Sequence, residues 1–194
     1  MKLSVFTTLG FIFGLAFLFA VPEQAVAQRD DDLLRVRRIE AREVQAPRIS
    51  ISGVGSGRRN LRWLEVRTQY EVRPDWLDEA TFTYYIVMRN RNPGQGESEY
   101  NMFQGEVTYM NIRRGRDLQS TVYLHPSTLE RYGDVFRTAV VVRSQGRILA
   151  IESEPRADDR WWERLPPSTG YVLNRNQTPF AVVNPDDYEM IKQD

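Results

Sequence analysis

Residues 61–89, LRWLEVRTQYEVRPDWLDEATFTYYIVMR, decide how this chain folds. Leu64, Val66, Thr68, Tyr70 and Val72 fall on one side of an extended backbone, and Glu65, Arg67, Gln69 and Glu71 on the other. This alternation is that of an antiparallel strand with one buried and one wet face. Leu61 and Trp63 have the opposite parity, which predicts a bulge or change of face near Trp63. Arg73-Pro74-Asp75-Trp76 predicts a break and a turn. The pattern resumes in Ala80–Arg89, the most apolar run, with Phe82, Tyr84, Ile86 and Met88 on one face and Tyr85 and Val87 on the other. That run predicts a central strand.

Further strands follow downstream. Asn90–Asn101 is a polar loop long enough to protrude as a hairpin tip. Gly105–Ile112 and Leu118–Leu124 read as strands joined by a basic turn, Arg113-Arg114-Gly115-Arg116-Asp117. His125–Gly133 (HPSTLERYG) predicts one helical turn closing on a glycine C-cap. Val135–Val142 and Arg147–Glu152 predict a hairpin around Gln145-Gly146. About seven strands with regular turn signals imply an all-β chain, an immunoglobulin-like antiparallel sandwich over residues 46–153, with a partly open barrel as the alternative. Tyr132, just before the penultimate strand, sits where such sandwiches carry a tyrosine corner.

Upstream, Arg48–Ser52 alternates as a first strand, and Gly53, Gly55 and Gly57 read as a turn that lacks the lysine and hydroxyl of a phosphate loop. Residues 28–45 are dense in charge. Leu33, Val36 and Ile39, spaced by three after Asp30–Asp32, predict a short N-terminal helix or a mobile leader. Before them, Lys2, the apolar run Leu3–Val21 and Ala25-Val26-Ala27 form a cleavable export signal over residues 1–27, with an uncleaved membrane anchor as the other reading. Residues 154–194 form a C-terminal extension, with a strand expected near Thr178–Val183 and a helix at Tyr188–Lys192.

Composition narrows the chemistry. The chain has 194 residues, 26 basic and 26 acidic, so no net field draws it to nucleic acid or anionic membrane. It has no cysteine and one histidine, which leaves neither a disulfide nor the ligands of a zinc site. His125 precedes a proline at a strand end and is expected to fix the turn rather than act as a base. The acidic pairs Asp158-Asp159, Asp186-Asp187 and Glu65/Glu71 lie on expected loops or wet faces, where solvated charge is the default. We therefore expect no catalytic site and no cofactor. The candidate interaction residues are Arg113, Arg114 and Arg116, able to grip acidic polymers or glycans at a hairpin tip. The others are Trp161 and Trp162, which either cover the open edge of the sandwich or form an interface.

The runs WLEVRTQYEVRPDWLDEATFTYYIVMR, GEVTYMNIRRGRD, YLHPSTLERYG and TPFA resemble secreted pilus-like proteins of verrucomicrobial bacteria, encoded with type IV pilus assembly genes in Akkermansia. The resemblance implies an immunoglobulin-like fold and an envelope or surface role, and carries no catalytic or ligand residues. It departs from true pilins, which keep their N-terminal hydrophobic helix, whereas Ala25-Val26-Ala27 implies its removal. The expected protein is exported to the periplasm, outer surface or medium. Its expected partners are envelope or pilus assembly proteins, or else surface glycans. It would touch the membrane only through an uncleaved signal segment.

Overall fold

The computed structural model describes residues 33–47, 61–157, 159–184 and 188–193. The expected export signal, the Arg48–Ser52 strand, the Gly53–Gly57 turn, Asp158 and Asp186-Asp187 lie outside the described residues. Two long strands organise the rest: β2, Arg62–Arg89, and β3, Tyr100–Leu124. Each joins two of the expected strands into one. Arg73–Trp76 and Arg113–Asp117 therefore do not reverse the chain, and antiparallel pairing runs from Leu64↔Leu124 to Arg89↔Tyr100. The turn signals are real but act as a corner. Register slips between Tyr70 and Trp76, and Asn111 takes a φ of 52°. Proline cannot donate a ladder hydrogen bond, so it is accommodated where the ladder is already interrupted.

The corner folds the sheet over on itself. Twelve residues of straight strand span about 40 Å. Yet the rings of Tyr70 and Phe82 are 4.9 Å apart, and the Tyr84 hydroxyl donates to Thr68 Oγ1 at 3.0 Å. β3 bends likewise, since Thr121 N donates to the Tyr109 hydroxyl at 3.3 Å. The two halves of one sheet thus face each other and enclose the main core, with Val66, Tyr70, Phe82, Tyr84, Ile86 and Tyr109 at its centre. Burial pushes the Tyr84 hydroxyl well above its usual range and that of Tyr109 up to about 12.

The other elements attach to this frame. β1, Leu34–Gln45, pairs with the first half of β2. The expected N-terminal helix is therefore a strand. Its spacing of three comes from a bulge: Val36 pairs with Tyr70 and Arg38 with Gln69, leaving Arg37 extra. The inserted residue flips the parity, so Leu34, Val36 and Ile39 all face the core. α1, Pro126–Tyr132, has the expected C-cap at Gly133, φ 82°. β4, Asp134–Ser144, pairs with the second half of β2, and β5, Arg147–Glu154, pairs with β4 through a two-residue turn, Gln145-Gly146, with positive φ at both positions.

The C-terminal residues wrap the outside. Three short strands, β6 (Pro167–Thr169), β7 (Val172–Asn174) and β8 (Met190–Ile191), pair with β3, β6 in parallel and the other two antiparallel. They complete an eight-stranded sheet, antiparallel but for β6. The segment expected as a strand near Phe180 is a 3₁₀ turn, Pro179–Val182, capped by the Thr178 hydroxyl, and the expected helix at Tyr188–Lys192 contains β8 instead. Trp63 needs no bulge, because Phe180 covers it from outside together with Tyr123. Tyr132 packs edge-on to Phe103 at 4.9 Å and to Tyr171 at 6.0 Å, tying α1 to the C-terminal wrap.

Candidate functional site: an arginine corner and an aromatic groove

Arg113, Arg114 and Arg116 do not crown a hairpin. They are exposed on the outside of the β2–β3 corner, where the bend splays side chains apart. The Arg113 guanidinium lies 5.9 Å from the ring of Trp76, itself 60% exposed. Arg114 is more tightly held, donating to the Arg73 carbonyl at 2.6 Å and pairing with Asp75 at 3.1 Å. The corner therefore presents an arginine and a tryptophan face together, while Arg114 serves in part to brace the bend.

Trp161 and Trp162 begin a 3₁₀ turn, Trp161–Glu163, and both are buried. They do not close the open edge of the sheet. They cover its outer face, over Val87, Met102, Ala139 and Val141, with Trp162 stacked on Tyr85 at 5.9 Å and 23°. Period-two patterning required this cover: Tyr85, Val87, Ala139 and Val141 are apolar side chains pointing away from the main core. Their indoles are thus packing residues in this fold. Beside them they leave an exposed apolar surface.

That neighbour is a groove of about 260 Å³ lined by Val87, Tyr100, Phe136, Arg137, Trp161 and Leu165. Phe136 is 42% and Leu165 38% exposed. The groove exists because β4 bulges: Val135 pairs with Met88 and Arg137 with Val87, so Phe136 is the extra residue and is turned out against Tyr100, 5.0 Å away. The Arg137 guanidinium sits 4.9 Å from Phe136 and 5.3 Å from Trp161. Aromatic side chains with arginine are the composition of binding hot spots. Strict alternation would set Phe136 on the same face as Thr138 and Val140, and nothing local in the sequence marks the bulge.

Elsewhere the polar groups serve the fold. His125 Nδ1 accepts from Ser127 N at 3.2 Å and so caps α1, while its ring meets Trp63 edge-on at 4.9 Å. Glu65 is not on a wet face. It is buried, bound by Arg42 at 2.8 Å and Arg67 at 2.9 Å, and accepts from the Tyr123 hydroxyl at 3.3 Å. Glu71 pairs with Arg37 and Arg73, whose hydrogen bonds hold its carboxyl below the usual range. The buried Arg175 donates to the carbonyls of Phe180, at 3.1 Å, and Val183, and lies 4.0 Å from the Tyr188 ring, a lock on the C-terminal wrap that composition did not reveal.

The fold has a solved relative. A crystal structure of a protein from Akkermansia muciniphila is similar over 84% of this chain and 94% of its own length, with a TM-score of 0.71 and 24% identity. At that identity the likeness is one of fold. No curated protein matches the chain. A protein-family model matches residues 25–194, and the chain belongs to that family.

Proposed function

We propose that this is an exported, non-catalytic binding protein that serves as a structural component of a type IV pilus or cell-envelope assembly, built on an immunoglobulin-like sandwich. The observation that carries this reading is the aromatic groove. Its exposed Phe136 and Leu165 flank the buried Trp161, and Arg137 lies over two of its rings. The bulge of β4 turns Phe136 outward beside Leu165, and a partner side chain would complete the cover. The resemblance to pilus-associated proteins supports this setting, and the expected export signal supports a compartment outside the cytoplasm: periplasm, outer surface or medium. The test is photo-cross-linking from position 136 in native cells, followed by mass spectrometry of the adducts. Envelope or pilus assembly proteins should be captured, and Leu165→Glu should abolish the adducts while leaving the protein folded. Adducts that persist unchanged in Leu165→Glu would sink the groove as the interface.

A second reading, a surface adhesin for glycans or acidic polymers, is favoured by the corner where Arg113 lies over the exposed Trp76. Arrays of acidic glycans at low salt separate the two. Binding that falls with Arg113→Ala supports the adhesin, and its absence removes it.

A further inference from the structure

The groove beside Phe136 holds one charge, and that charge has no counterion. Arg137 is half-buried against the rings of Phe136 and Trp161, and it pairs with no carboxylate among the described residues. It comes to lie here because β4 pairs it with Val87, on the outer face that Trp161 covers. The ions around it are already matched. Arg89 pairs with Glu99 at 2.8 Å, Arg160 with Glu163 at 3.4 Å, and Arg164 with Asp159 at 3.2 Å. These pairs cancel, so the groove keeps the positive charge of Arg137.

Size and lining restrict what fits. A volume of about 260 Å³ lies below the range for whole small-molecule ligands, roughly 300–1,000 Å³, and suits one large side chain. Val87, Phe136, Trp161 and Leu165 require that side chain to be apolar. A guanidinium that leans on aromatic rings keeps its in-plane N–H donors for a carboxylate. Beside apolar groups such a pair is less screened than one in open water. An acidic glycan would satisfy Arg137 but leave Phe136 and Leu165 uncovered. An apolar segment without acid would cover them but bury the guanidinium unpaired, which is costly.

We infer that the groove is specific for a leucine or phenylalanine flanked by aspartate or glutamate within a partner polypeptide. The apolar side chain seats against Phe136 and Leu165, and the neighbouring carboxylate pairs with Arg137. The inference rests on the groove being an interface, and names the chemistry of what docks there. The two kinds of residue then have different roles. Phe136 and Leu165 supply contact area, whereas Arg137 supplies selectivity, because a partner without the acid leaves its charge buried and unmatched.

The probe is a synthetic peptide blocked at both ends, a leucine between two glutamates with a serine outside each, titrated into ¹⁵N-labelled protein expressed from the full sequence. Saturable shifts should appear at the amides of Phe136 and Arg137. They should also appear at the Trp161 indole N–H, which is buried without an acceptor among the described residues. Counterparts with glutamine or lysine for glutamate should bind about tenfold more weakly or not at all. Arg137→Glu should reverse the order, favouring the lysine peptide. Arg137→Gln, gentler on the fold, should erase the difference between the glutamate and glutamine peptides while the unbound spectrum stays native. Equal binding of those two peptides by the parent protein overturns the proposal yet leaves the groove an interface, which cross-linking from position 136 decides separately. A groove that responds to none of the peptides overturns it, as does a glutamate preference that persists in folded Arg137→Gln. So does binding only by the glutamine peptide with a free C-terminal carboxylate, since a chain terminus would then be the ligand.

Discussion

Glu65 shows how a single residue's role is set by distant chain. Its parity marks it as solvent-facing, yet Arg42 from β1, Arg67 beside it and Tyr123 from β3 enclose it. None of these is adjacent in sequence in a way that reveals the pairing. Removing its charge leaves a half-buried Arg67 short of an acceptor, so Glu65→Gln should lower stability by about 2 kcal/mol, seen as a lower urea midpoint at unchanged slope. Glu71 makes a pH statement. Its folded-state pKa lies below the unfolded value of about 4.3, because Arg37 and Arg73 bond the ionised form. Its contribution is present above that unfolded value and is lost as pH falls through the folded one. Urea midpoints measured from pH 6 down to pH 3 should therefore fall less steeply in Glu71→Gln than in the parent. His125 was legible, since a histidine before proline at a helix start has a capping role within reach.

At the scale of elements, patterning exposed the strands but not their continuity. The alternation in 64–72, 80–88 and 118–124 is local, whereas whether Pro74 reverses the chain or bends it depends on β3 carrying a matching irregularity at Gly115. β1 misled for a similar reason, as the bulge at Arg37 turned a strand's spacing into a helix's. Helix α1 was legible because its end is chemically marked. A Cβ at Gly133 would lie 2.3 Å from the Arg89 carbonyl oxygen, and φ is 82°. Gly133→Ala should accordingly cost about 2–3 kcal/mol and loosen α1 from β2, which hydrogen exchange at the amides of Gly133 and its neighbours would register. A stability unchanged within error would mean the backbone there relaxes freely.

For the whole molecule, the sheet needs its own tail. Phe180 covers Trp63 and Tyr123, and Trp161 with Trp162 covers Tyr85, Val87 and Val141. A chain ending at Arg160 would expose both patches, and such patches drive association. That truncated chain should be recovered aggregated or with strong binding of a hydrophobic dye, and a monomeric, dye-silent product would show the cover to be dispensable. Which face the tail covers was not legible, because a short 3₁₀ turn has no periodicity to read. The groove beside Phe136 was hidden for the same reason as the corner: both depend on bulges, which only the partner strand defines.

The late position of that cover also sets a clock. A chain that emerges N-terminus first presents Tyr85 and Val87 well before Trp162, and Trp63 long before Phe180. At synthesis rates of roughly 5–20 residues per second, the outer faces stay bare for several seconds. During that interval the growing polypeptide cannot finish folding, and it shows apolar surface of the kind that drives association.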